Sequence, residues 1–213
     1  MQITKTLQQR KAQLVLLAAA CLLSVNSYAQ QQPTDLAFNL ADPSKLAILG
    51  NGGFLTVQAG TRPNRGVLYF FDSQGDFTWV LLGLPSFGSN ASAAGITAPD
   101  GLAMNGNTLY IATAPVTPNG ATPAPSAQAS IVRVVFSRNL ADSPGPFALQ
   151  PTDYQTLLDG GAVTLTQGTD NTATVTLLAA SVNAPTDLSV DASTGRLYLV
   201  SRLSHTISWL PLQ

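Results

Sequence analysis

The chain has 213 residues, 45% hydrophobic and only 10% charged, with a formal net charge of −1. So apolar a chain can bury a core and offset its conformational entropy, which excludes disorder, and it lacks the basic field that holds a nucleic-acid backbone. All eleven acidic residues are Asp, Glu is absent and Lys and Met are scarce; the lack of these helix formers beside many Thr, Val, Gly and Pro predicts strands and turns.

Residues 1–29 read as a secretory signal. Lys5, Arg10 and Lys11 precede an apolar run from Leu14 to Val25, and Ser27-Tyr28-Ala29 sets small residues at −3 and −1 before Gln30. This predicts a secreted or periplasmic protein with one domain over residues 30–213. The run is too short to cross roughly 30 Å of hydrocarbon, and no later run reaches about 18 residues, so no membrane span is expected. Ala18-Ala19-Ala20-Cys21 offers a lipoprotein cleavage box as the alternative, although Leu is missing at −3 and Leu22-Leu23 continue the apolar run. Cys21 is the sole cysteine, so loss of the leader leaves no disulfide or thiolate chemistry. Past residue 29, seven basic residues against eleven Asp give a net charge of −4, which suits solubility.

Short runs rich in Val, Leu, Tyr and Phe then alternate with Gly, Asn, Asp and Pro, the pattern of strands and turns. Strands are predicted at Thr34–Leu40, Lys45–Leu49, Phe54–Ala59, Gly66–Asp72, Phe77–Gly83, Gly101–Met104, Thr108–Ala114 and Ser130–Ser137. They continue at Tyr154–Leu158, Ala162–Thr166, Ala173–Ala179, Asp187–Val190, Arg196–Ser201 and Thr206–Leu210. Asn51-Gly52-Gly53, Asn105-Gly106-Asn107, Asp72–Asp76 and Asp191–Gly195 supply the hairpin turns. Val67–Phe71, Trp79–Leu82 and Leu197–Val200 are apolar without alternation, which predicts burial on both faces. With no helix expected to cover those faces, sheet is expected to pack on sheet.

A repeat organises these strands. Pro99-Asp100-Gly101-Leu102-Ala103-Met104 followed by Leu109–Thr113 matches Pro185-Thr186-Asp187-Leu188-Ser189-Val190 followed by Leu197–Ser201. Pro43-Ser44-Lys45-Leu46-Ala47-Ile48 followed by Phe54–Val57 is a weaker third copy, and Pro33–Phe38 echoes the opening. Each copy leads into a third strand, and the first two into a fourth, at Trp79–Leu82 and Tyr154–Leu158. Four antiparallel strands per unit is the pattern of propeller blades. The prolines at 43, 99 and 185 are 56 and 86 residues apart, against about 40–50 per blade. The longer interval holds a Pro/Ala/Thr loop, Pro115–Ala129, and an extra hairpin, Ala162–Ala179. The fold class expected is therefore all-β and β-propeller-like, with about three to four four-stranded blades. Such a chain forms a small ring, an open arc, or half a ring that a second copy completes, since open arcs leave two apolar faces exposed.

At these repeats the chain resembles the NHL-repeat and gluconolactonase-like (senescence-marker-like) six-bladed propeller superfamily, in particular secreted bacterial proteins of the ScyD/ScyE type. The residues that carry the resemblance are Ala98–Ala103 with Thr108–Ala112, Ala184–Asp191 with Gly195–Leu199, and Gly66–Tyr69 through Leu82-Gly83-Leu84-Pro85-Ser86. The superfamily hosts lactonases, scaffolds and ligand-binding proteins alike. Its enzymes hold a divalent metal at the channel mouth through Glu, Asn and Asp. The resemblance thus implies a metal set of Asp100, Asp187 and Asn183, with Asp35 as a further candidate and Ca²⁺ as the cation. The absence of Glu departs from that pattern, and the ordinary role of Asp before an inner strand is to cap a turn.

Other chemistry is sparse. His205, the only histidine, lies in a predicted turn with no nucleophile elbow beside it. No phosphate-cradling glycine loop occurs, and the Cys and His counts exclude zinc sites of that kind. Trp79, Trp209 and Tyr154 sit in strand patterns and are expected in the core. Asn90-Ala91-Ser92 marks a surface loop. The sequence therefore points to an exported, non-catalytic protein that binds or assembles, with no catalytic residues and no cofactor. Its partner would be a protein, a small molecule or a second copy. The alternative is a degenerate metal-dependent lactonase- or esterase-like hydrolase using Asp100 and Asp187.

Overall fold

A computed structural model describes residues 43–49, 52–58, 65–84, 97–115, 129–142, 144–168, 171–180, 182, 185–201 and 205–212. The chain divides into two compact units, Met1–Asp35 and Leu36–Gln213, and every described residue belongs to the second. The expected leader, the strand at Thr34–Leu40, Asp35, the triplet Asn90-Ala91-Ser92 and Asn183 lie outside the described residues.

The described residues form thirteen strands and one helix, in three sheets of which none closes on itself. The first sheet is a meander of β1 (Pro43–Ile48), β2 (Phe54–Gln58), β3 (Gly66–Phe71) and β4 (Phe77–Leu84). The second begins with β5 (Thr97–Asn105), β6 (Thr108–Pro115) and β7 (Ser130–Phe136). A two-residue strand, β8 (Phe147–Ala148), returns to pair parallel with β4 in the first sheet. Helix α1 (Pro151–Leu158) follows, then β9 (Ala162–Thr166) and β10 (Thr172–Ala180), which complete the second sheet in the order β5-β6-β7-β10-β9. The third sheet is β11 (Pro185–Asp191), β12 (Arg196–Ser201) and β13 (Thr206–Pro211).

Two expectations are corrected here. Tyr154–Leu158 is helical, so the fourth strand of the second sheet is β10, drawn from the hairpin taken as extra. The helix is set by its ends. Pro151 occupies the first helical position, where no N–H is needed. The Asp153 carboxylate reaches back to accept from the Gln150 N–H at 2.9 Å, one half of a capping box. At the other end Gly160 N–H donates to the Leu157 carbonyl and Gly161 N–H to that of Thr156, which closes the last turn.

Hairpin chemistry follows the sequence. Asp72 Oδ1 accepts from the N–H groups of Gln74 and Asp76, both at 2.9 Å. In the β11–β12 turn, Asp191 accepts from the hydroxyls of Ser193 and Thr194, both at 2.6 Å, and from the Ser193 N–H at 3.0 Å. Those bonds, the Ser193 hydroxyl first and the Thr194 hydroxyl next, hold its carboxyl at about 2, below the ordinary 3.8. A depressed carboxyl stabilises the fold above its unfolded value and loses that contribution as pH falls from about 4 towards 2. Carbon-detected NMR should find Asp191 titrating near 2, and Ser193→Ala should raise that midpoint. A midpoint unmoved by Ser193→Ala would contradict the hydrogen-bond cause.

Packing gives the sheets a direction. Call forward the face of each sheet that carries Leu55 and Val57, Tyr110 and Ala112, or Tyr198 and Val200 on its second strand. The other face is backward. Leu55, Val57, Leu68 and Phe70 on the forward face of the first sheet share one core with Leu109, Ile111, Val132 and Val134 on the backward face of the second. Ala103, Tyr110, Ala112 and Ile131 on the forward face of the second sheet share another with Leu197 and Leu199 on the backward face of the third. Each fully buried Leu, Ile or Val contributes about 1.5–3 kcal/mol. Leu140, Phe147, Leu149, Tyr154 and Leu157, from the segment running through β8 and α1, fill out the first core. First strand lies beside first strand, with β5 in contact with both β1 and β11.

Candidate functional site

The three sheets share one local device. Pro43 pairs with Gln58 and Lys45 with Val57; Pro99 pairs with Thr113 and Gly101 with Ala112; Pro185 pairs with Ser201 and Asp187 with Val200. In each first strand one residue is therefore extra: Ser44, Asp100 or Thr186. A β-bulge of this kind bends the strand locally. Opposite each leading proline stands a buried polar residue, Gln58, Thr113 or Ser201. Thr113 Oγ1 meets Ser130 Oγ at 2.8 Å and accepts from the Ser130 N–H at 3.1 Å, so the polar group is buried with its bonds made.

This register places the expected metal residues. Asp100 is the bulge residue of β5 and is half-buried, whereas Asp187 is one position later in its own sheet, equivalent to Lys45 and Gly101. Gly101 is where β11 comes close: a Cβ there would lie 3.0 Å from the Ala112 Cβ and 3.4 Å from the Leu188 Cγ. Asp187 Oδ1 accepts from its neighbour's N–H, that of Leu188, at 3.0 Å, the local capping bond expected of such a residue. It also lies 3.6 Å from the Lys45 ammonium, linking the first and third sheets. Both side chains are partly exposed, so the pair is worth under about 1 kcal/mol. A divalent cation at Asp187 would compete with that ammonium. Among the described residues no group of three or more His, Cys, Asp or Glu is gathered to hold a metal ion. Asn183 lies outside the described residues, so the three-residue set is not placed as a whole.

The remaining candidates separate. His205 is exposed in the turn before β13, with φ of 54°. Tyr154 is buried in α1, and its hydroxyl has no hydrogen-bond partner among the described residues. Burial first, then the nearby Asp153 charge, raises its pKa above the ordinary 10. Trp79 and Trp209, expected in the core, are exposed instead.

Those tryptophans belong to the surface that sequence reasoning missed. Two complete cross-strand rows cover the backward face of the first sheet: Ile48-Phe54-Phe71-Phe77 and Leu46-Thr56-Tyr69-Trp79. Phe54 and Phe71 stack with centroids 4.8 Å apart, and Phe77 meets Tyr69 edge-on at 5.6 Å. The outer part of these rows is open, with Ile48 68% and Phe77 58% exposed. On the forward face of the third sheet Tyr198 pairs with Trp209 and Val200 with Ile207. Ile207 is 75% and Trp209 51% exposed, and the Arg196 guanidinium lies 4.5 Å over the Trp209 ring. Of the strands expected to be buried on both faces, β3 is so at Phe71, Phe70 and Leu68, whereas β4 exposes Trp79 and β12 exposes Val200. An apolar run reports which side chains prefer to leave water, and says nothing of what covers them. No known family model matches this chain, and neither does any curated protein.

Proposed function

We propose that this chain is an exported, non-catalytic protein of propeller type that acts by binding or assembly. The observation that carries the reading is the two groups of exposed apolar side chains at the ends of the three-sheet stack, Leu46, Ile48, Phe77 and Trp79 on the first sheet and Val200, Ile207 and Trp209 on the third. A monomer seldom exposes contiguous apolar surface beyond a few hundred Å², and larger patches mark interaction sites. Successive antiparallel meanders, stacked face to face with first strands adjacent, support the propeller part. The signal pattern of residues 1–29 supports export. Lys45 pairs with Asp187 between the first and third sheets, and the buried Thr113 of β6 bonds Ser130 of β7 within the second, so these polar groups serve the framework.

The test is a panel of lactones and esters given to the purified protein with and without millimolar Ca²⁺. No turnover above that of Asp100→Ala is expected, and no rise in melting temperature on adding Ca²⁺, where a bound cation at a hundred times its Kd would add about 2.7 kcal/mol. Hydrolysis that Asp100→Ala abolishes would overturn the reading in favour of the metal-dependent hydrolase.

A further inference from the structure

We propose that the partner on these faces is a second copy of the chain, docked head to tail so that two chains close one ring of six sheets. The inference rests on the assembly reading above and names its partner. It follows from the direction of the stack. Inside the chain a forward face meets a backward face twice, first sheet on second and second on third. Among the described residues, the two faces not packed on another sheet are one of each kind: the backward face of the first sheet, where Leu46, Ile48, Phe77 and Trp79 are exposed while Thr56 and Phe71 are buried, and the forward face of the third. A second copy therefore supplies the matching surface at both ends, continuing the interface the chain already uses twice.

The side chains agree with the match. The equivalents of Tyr110 and Ala112, which pack on the third sheet, are Tyr198 and Val200 on the free forward face. The equivalents of Leu109 and Ile111, which pack on the first sheet, are Phe54, half-buried, and Thr56, buried, on the backward face of the first sheet. The two rows of that backward face carry no charged side chain. The charges of the forward face are either engaged or local: Arg196 lies over Trp209, Asp187 pairs with Lys45, and Asp191 bonds its own turn. A head-to-tail contact of this kind closes when its rotation is a whole fraction of a turn and otherwise grows into a filament. The stack turns about its first strands, where β1, β5 and β11 are neighbours and Lys45 reaches Asp187, which favours closure.

Sedimentation equilibrium of the purified full chain at 1–100 μM should give twice the chain mass. Trp79→Asp, on the backward face, and Trp209→Asp, on the forward face, should each give monomers with an unchanged far-ultraviolet spectrum, since both rings are already half in water. Mixed in equal amounts, the two variants should associate again, because each supplies the face that the other has lost. A wild-type monomer at 100 μM, an open-ended ladder of masses, or two variants that stay apart when mixed would overturn the ring. A monomer without hydrolase activity overturns this inference alone. Hydrolysis lost in Asp100→Ala overturns the assembly reading, whatever the mass.

Discussion

Ile111→Ala is expected to lower the unfolding free energy by about 2–5 kcal/mol, a large part of the roughly 5–15 kcal/mol that holds a domain together. Ile111 lies at the middle of β6, fully buried, between Leu102 and Val132 in cross-strand register. It faces the first sheet together with Leu109 and Val134. Truncation removes three carbons from a row with sheet on either side, where the backbone is fixed by its ladders and the gap has little freedom to collapse. Ile111→Val should cost only about 0.5–1.5 kcal/mol. Urea unfolding of the three proteins with a common slope would read the difference, and a loss under 1 kcal/mol for the alanine variant would contradict a close-packed interface between the first two sheets.

Gly83→Ala should destabilise by about 3 kcal/mol, an unusual cost for a single added methyl. Register along β4 shifts at this point, from Gly66 opposite Leu84 to Val67 opposite Leu82, so Gly83 is the extra residue of a bulge. Its φ of +81° lies in the left-handed region, where an L side chain costs about 1–2 kcal/mol. A Cβ there would also stand 2.8 Å from the Leu149 carbonyl oxygen and 3.0 Å from the Tyr154 hydroxyl. Leu149 N–H donates to the Leu82 carbonyl at 2.9 Å, so the segment in the way is tied to β4 beside the bulge and cannot simply withdraw. Gly160→Ala is the control: φ is +82° with no atom within 4 Å of the added carbon, so only the backbone cost of about 1–2 kcal/mol remains. Equal losses at the two positions would show that the collision is relieved without penalty.

How far the fold was legible can be judged element by element. Twelve of the strands lie where apolar runs and turn residues put them, because Val, Thr, Tyr and Phe recur in short runs that Gly, Asn, Asp and Pro cut before a helix could extend. The Pro-led repeat is real at the level of register, since all three copies carry the same bulge one residue after the proline. The helix escaped because eight residues are too few for a periodicity to declare itself against Tyr, Thr and Leu; its signals were Pro151 and Asp153, which act on the backbone at its start. β8 is two residues long and is held by its neighbour, so no local pattern could announce it. The polar set Gln58, Thr113 and Ser201 had no signature, because three different residue types share one position only once the bulge has fixed the register. Asp100 and Asp187 looked alike in sequence, yet one residue of offset gives the first to a bulge and the second to a lysine.

The prolines at the head of β1, β5 and β11 carry one more consequence. Each of those strands is the edge of its sheet, and a bare edge is a template on which stray chains add and fibrils grow. Here the edge starts with a residue that has no N–H to offer, and the next residue breaks the spacing of whatever donors follow. The proline and the bulge thus oppose lateral addition of stray chains along the side where the three sheets converge.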